Sequence, residues 1–161
     1  MNAQIGANAP PSRIPWPPIL MGLTLAAGLA LDATTGASLI DRASSPLTQL
    51  AGAAIVVLAL ANDVWCFRIL SRHQTTIMPH RAASFLVTEG PFRFSRNPIY
   101  VSHVALIFGL GLFLGSPFTL LLTPLLAFGL TKLAIEPEER HLLGKFGDDY
   151  RSYMARTRRW L

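Results

Sequence analysis

Apolar residues fill positions 17–31, 47–67, 99–114 and 118–135, and polar residues separate these runs. The most extreme stretch is 97–131, which holds no Asp, Glu, Lys or Arg and a single His. A membrane span needs about 20 apolar residues, so this stretch is long enough for two. Gly115, Ser116 and Pro117 supply the turn between them, since glycine and proline punctuate helices. A single long buried helix of a soluble protein is the alternative, and the other apolar runs weigh against it. Run 17–31 is short for a span and could be a signal-peptide core, with Ala33, Gly36 and Ala37 near a cleavage point. Only Arg13 precedes it as a charge, so it reads better as a first span with Trp16 at the interface. Residues 1–15, which contain Asn, Ala, Gly, Pro and Ser, read as a disordered segment.

Residues 68–98 are too polar for a bilayer and contain Pro79, Pro91 and Pro98, which predicts a loop with short helical pieces. A loop of this length in a small domain is usually functional. Residues 138–156 read as an amphipathic helix. Leu142, Leu143, Phe146, Tyr150, Tyr153 and Met154 recur at spacings of three and four, opposite Lys145, Asp148, Asp149, Arg151 and Arg156. The predicted fold is thus an all-α integral membrane protein, one domain over 16–161, with about four transmembrane helices and a C-terminal amphipathic helix.

Charge sharpens this picture. Only 14% of residues are charged, against about 25% in a soluble domain. The net charge of +5 would suggest nucleic-acid binding in a soluble chain. Topology explains it better, and no nucleic-acid partner is predicted. Loop 68–96 carries five Arg, and the tail carries Lys132, Lys145 and five more Arg. Segment 32–46 has two Asp and one Arg, and the hairpin tip has no charge. The positive-inside rule then places both termini and the long loop in the cytoplasm, for a protein of a bacterial inner membrane. Arg156, Arg158, Arg159 and Trp160 read as an interfacial anchor facing membrane lipids. Ala105, Gly109, Gly111 and Gly115 would let the third span pack closely on a neighbour, which permits a homodimer.

No phosphate loop, dinucleotide fingerprint, nucleophile elbow or paired His/Cys spacing is present, so no metal site is predicted. Cys66 is the one cysteine and reads as a buried thiol. What remains is a polar cluster on either side of the hairpin: Arg93, Arg96, Asn97 and Tyr100 before it, Glu138 and Glu139 after it. The carboxylate pair also suits the first turn of a helix, where negative charge favours the dipole.

The run LVTEGPFRFSRNPIYVS (86–102) and the run EERHLLGKFGDDYRSYMARTRRWL (138–161), separated by a hairpin, resemble the isoprenylcysteine carboxyl methyltransferase family. More exactly, they resemble its short bacterial members, which are related to phospholipid N-methyltransferases. The likeness covers residues 62–161. It implies a membrane methyltransferase that uses S-adenosylmethionine and acts on a lipophilic small-molecule or lipid-linked acceptor. It further implies that Leu86, Val87 and Gly90 line the cofactor with backbone. Arg96, Asn97, Pro98, Tyr100, Glu138 and Glu139 complete that cofactor site. Asn97, Ser102 and Phe92 stand where the family often has His, Gly and Tyr, so acceptor preference does not transfer.

The residue chemistry agrees in kind. An Arg fork suits a cofactor carboxylate, Glu suits its ammonium or ribose diol, and Tyr100 suits an adenine edge or a ribose hydroxyl. His80, Arg93 and Arg96 are candidates for acceptor orientation or proton transfer, with Glu89 beside them. Proton removal is needed only if the acceptor is an amine or a hydroxyl. His103, inside the third span, suits a hydrogen bond between helices or a substrate passage. The competing readings are a phospholipid-headgroup N-methyltransferase and a non-catalytic membrane protein whose charges merely finish its helices.

Overall fold

A computed structural model describes residues 14–36, 46–73 and 85–161. Among them, every extended element is helical: α1 (Trp16–Thr35), α2 (Pro46–Arg72), a 3-10 turn (Gly90–Arg93), α3 (Pro98–Leu114), α4 (Pro117–Leu130), a π turn (Thr131–Ile135) and α5 (Glu136–Arg156). A bilayer leaves a chain no other way to satisfy its backbone than helices or a closed barrel. Three helical stretches are long and apolar enough to cross a membrane: α1, α2 and the run that begins at Pro117. The apolar α3, with 17 residues, is shorter. Leu23, Leu47, Leu58 and Leu121 are each more than 60% exposed, which is costly in water and natural against lipid tails.

The elements differ from the sequence expectation at their ends, each time for a local reason. α1 runs on to Thr35, where the Thr34 and Thr35 hydroxyls donate to the Leu31 carbonyl (3.1 and 2.6 Å). Gly36, at φ +66°, then ends it. α2 runs to Arg72 rather than stopping near Phe67. Its 27 residues span about 40 Å, beyond the roughly 30 Å of hydrocarbon. The added turn is retained because Ile69 and Leu70 are buried against Val87, with Phe92 and Ile99 alongside. No break separates the fourth span from the tail helix. Pro137 has no N–H to offer the carbonyl four residues back, and the chain widens into the π turn just before it. α5 is itself interrupted at Gly147, whose φ of 52° and ψ of −119° are non-helical.

Backbone contacts divide the chain into two compact units. The apolar unit comprises 16–61 and 100–130. In it α1 lies along α4: a Cβ at Gly28 would fall 2.7 Å from the Thr119 backbone, so only glycine allows that approach. Ile107, Leu126 and Leu130 form the buried cluster, joined by Leu20, Met21, Leu25, Tyr100, Val104 and Leu110. Gly109 packs on Gly52 of α2 and Gly111 on Leu120 of α4, so these two glycines are covered from within the chain. Asp32 accepts hydrogen bonds from the Ser116 hydroxyl and from the Phe118 N–H (3.2 Å), which satisfies a donor at the start of α4.

The polar unit comprises the described residues within 62–99 and 131–161, together with Ile14 and Pro15. It holds the last turns of α2, the loop with the 3-10 turn, the start of α3, the π turn, α5 and the C-terminal tail. Asn62 donates to the Pro98 carbonyl at 3.1 Å. Gly90 turns at φ +58°, and a Cβ there would meet Ile69 at 3.2 Å and Trp65 at 3.4 Å.

Candidate functional site

The loop before α3 and the tail after α5 are tied together in the polar unit. Pro91 opens the 3-10 turn, and the N–H groups of Phe94 and Ser95 return to its carbonyl (3.1 and 3.2 Å). The Ser95 hydroxyl accepts from the Asn97 N–H (3.1 Å), a local turn that serine favours. That hydroxyl also donates to the Arg159 carbonyl at 3.3 Å, and Asn97 Nδ2 donates to the same oxygen at 3.0 Å. The Arg96 N–H donates to the Arg158 carbonyl at 2.9 Å. From α5, the Tyr153 hydroxyl donates to the Phe92 carbonyl at 2.6 Å.

This strap presents Arg96 and Arg159 to Glu139. Arg159 clamps the carboxylate with Nη2 on Oε2 (2.7 Å) and with Nε shared between Oε2 (3.1 Å) and Oε1 (3.3 Å). Arg96 Nη2 reaches Oε1 at 3.2 Å. The side chains of Arg96 and Glu139 are 10% and 9% exposed and that of Arg159 37%, so two of the three charges are nearly out of water. Ion pairs gain strength there, and losing one partner becomes expensive. Arg159 also stands 3.9 Å from Glu136, which Lys132 holds at 2.6 Å.

Arg96 Nε is buried and has no hydrogen-bond partner among the described residues. A guanidinium donor in that state is where a carboxylate can bind. Beside it, burial raises the Tyr150 hydroxyl above the usual phenol range. The Glu139 carboxylate adds to that rise, Arg96 opposes it, and Glu138 adds to it again, so these charges all act on one phenol. Burial likewise raises Tyr153, again against Arg96. Both hydroxyls therefore stay protonated, and that of Tyr153 donates. The Glu139 hydrogen bond holds Arg159 above its ordinary value, and Lys132 holds Glu136 below its own. The His141 ring is held below its usual value, first by burial and then by Lys145; its Nε2 is buried without a partner among the described residues.

The structure thus brings Arg96, Asn97, Glu138 and Glu139 into one polar unit. Asn97 is buried and its amide serves the tail. Val87 is a core residue, Leu86 is half-buried, and Pro98 is buried. Gly90 faces Ile69 and Trp65 with its hydrogen atoms. Arg93 is exposed. Glu89 meets His73 at 2.8 Å, and the His73 ring stacks on Phe85. Tyr100 belongs to the apolar unit, edge-on to His103 and against the Ile107 cluster. His80 lies outside the described residues.

Reasoning from sequence missed Arg159, Tyr150, Tyr153 and Ser95. The tyrosines were legible only as an apolar face, and Arg159 only as a lipid anchor. No sequence signal announces them: the burial of Glu139, which calls for a cation beyond its own helix turn, is visible only in the fold. Among the described residues, no cluster of three or more His, Cys, Asp or Glu is placed to hold a metal ion.

Similarity to known proteins supports a family assignment. The family profile described as phospholipid methyltransferase matches residues 47–149. A protein named nickel-cobalt-cadmium resistance protein NccN, from Alcaligenes xylosoxydans xylosoxydans, is 33% identical over 102 residues. The match covers 63% of this chain and 44% of that protein, so the chain spans less than half of its relative's length. No solved structure matches the chain.

Proposed function

We propose, from the premise that this chain belongs to the phospholipid methyltransferase family, that it is a membrane-embedded, S-adenosylmethionine-dependent methyltransferase for a lipophilic or amphipathic acceptor. The observation that carries the reading is the buried Arg96 guanidinium, with its Nε unspent next to the Glu139 pair. S-Adenosylmethionine supplies an electrophilic methyl group on a sulfonium centre. Its carboxylate fits Arg96, and its ammonium or ribose diol fits the half-buried Glu138. Glu139 serves the site by fixing Arg96. The backbone of Leu86, Val87 and Gly90, and the Asn97–Pro98 segment that starts α3, border the same loop. Tyr100 follows in sequence as the candidate for adenine or ribose.

Transfer to a carboxylate or thiolate requires alignment and exclusion of water, worth roughly 7–11 kcal/mol at best. An amine acceptor must also lose a proton, and His80 is the residue we assign to that step. We assign exposed Arg93 to orienting an anionic headgroup. A phospholipid-headgroup amine is the acceptor closest to the family's description. A prenylated or otherwise lipid-linked carboxylate or thiol is the alternative. We place the protein in a bacterial inner membrane with both ends of this chain in the cytoplasm, where a charged cofactor is available. The test is purified protein with methyl-labelled S-adenosylmethionine and a membrane lipid extract. Label is expected in the organic phase and absent with Arg96→Gln. No transfer, together with no measurable cofactor affinity, favours the non-catalytic reading.

A further inference from the structure

We propose that Arg159 is a positioning residue: by clamping Glu139 it keeps the Arg96 guanidinium available for the carboxylate of the cofactor. The proposal rests on the reading of Arg96 given above. Arg96 and Arg159 compete for the same carboxylate, and they share it unequally. Arg159 takes three contacts through two nitrogens, the shortest 2.7 Å, while Arg96 has one contact at 3.2 Å. An Arg beside a lone carboxylate normally forms a two-bond fork with it. A side-on fork through Nε and Nη2 would use up Arg96 Nε, which is instead buried without a partner among the described residues. Glu139 is thus anchored by one arginine so that it can orient the other without occupying it.

The tail is built to deliver this clamp. The Arg159 carbonyl receives Ser95 Oγ and Asn97 Nδ2, and the Arg158 carbonyl receives the Arg96 N–H. Backbone and side chain of Arg159 are therefore fixed to the residues that flank Arg96. The charges agree with this division. Arg96, Glu139 and Arg159 together carry one net positive charge, which an incoming carboxylate balances. Without Arg159 the remaining pair is neutral and self-satisfied, and the binding fork is closed.

The experiment compares two cofactor analogues, adenosylhomocysteine, which has the amino-acid carboxylate, and methylthioadenosine, which lacks it. Binding is measured by calorimetry on the full chain in detergent. Arg159→Gln is expected to weaken adenosylhomocysteine about tenfold or more, the scale of a charge-assisted hydrogen bond, and to leave methylthioadenosine within about twofold. Arg159→Gln combined with Glu139→Gln removes the competing carboxylate and is expected to recover part of the adenosylhomocysteine affinity. Equal loss of both ligands, or no recovery in the double variant, would mean that Arg159 only holds the fold and would overturn the proposal. Arg96→Gln separates the two levels. If it loses adenosylhomocysteine while Arg159→Gln does not, the positioning role fails and the Arg96 reading stands. If Arg96→Gln binds like the parent, the Arg96 reading fails and the positioning role with it.

Discussion

Removing the Glu139 carboxylate is the sharpest perturbation of the polar unit. Glu139→Ala leaves Arg96, 10% exposed, facing Arg159 with no counter-charge between them. Deleting one partner of a buried pair costs about 3–5 kcal/mol. The lower end applies, because Arg159 is 37% exposed and can turn toward Glu136, already 3.9 Å away, or toward water. In Arg96→Gln, by contrast, Glu139 keeps its clamp to Arg159 and only the single 3.2 Å contact is lost. That variant should cost about 1–2 kcal/mol, near the lower limit for a charge-assisted bond. At about 2–4 °C per kcal/mol for a chain of this size, Glu139→Ala should lower Tm by about 6–12 °C and Arg96→Gln by no more than about 8 °C. Thermal melts in one detergent, followed by tryptophan fluorescence, measure both. A Glu139→Ala variant within 2 °C of the parent (about 1 kcal/mol or less), or one more stable than Arg96→Gln, refutes the shared-carboxylate account.

Gly28→Ala should destabilise the apolar unit by about 1–3 kcal/mol, since the new Cβ meets the Thr119 backbone, whereas Gly22→Ala, with nothing within 4 Å, should be neutral or mildly stabilising; equal denaturation midpoints for the two would contradict the packing. Stability should also fall as pH drops through about 6.5, because the unfolded His141 takes up a proton at its ordinary value while the folded ring, held lower by burial, resists it. Melts at pH 7.5 and about 5.5 should show that loss in the parent and a smaller one in His141→Gln; identical slopes would exclude His141 as its source. With Cys66→Ala as background, a membrane-impermeant maleimide should label Ser45→Cys in intact cells and Ser152→Cys only after the membrane is opened. Labelling of both in intact cells would defeat the proposed topology.

The helical membrane fold is legible in the sequence because the bilayer leaves so few options: an uncharged run such as 97–131 must be helical to bury its backbone. Arg96 and Glu139 are legible because charges at the edge of apolar runs are conspicuous. The ends of the elements are not. Whether α2 stops at Phe67 or Arg72 depends on Ile69 and Leu70 finding Val87, a contact across the intervening loop. The π turn before Pro137 and the left-handed Gly147 are local adjustments that no hydrophobic period announces. Arg159 is the clearest case. Its basic neighbours and Trp160 look like a lipid anchor, and only the return of the tail onto Ser95 and Asn97 turns its side chain toward Glu139. Nor does the sequence announce that the Tyr100 ring packs against the Ile107 cluster.

The central claim is that the Arg96 cluster binds the methyl donor, and equilibrium binding of adenosylhomocysteine to parent and Arg96→Gln protein tests it most directly. The parent should bind saturably with one site per chain. Arg96→Gln should lose about tenfold to a hundredfold in affinity, the value of one charge-assisted bond of about 1.5–3 kcal/mol, while its melting curve stays cooperative. A folded parent that does not bind, or an Arg96→Gln variant that binds as tightly as the parent, contradicts the account.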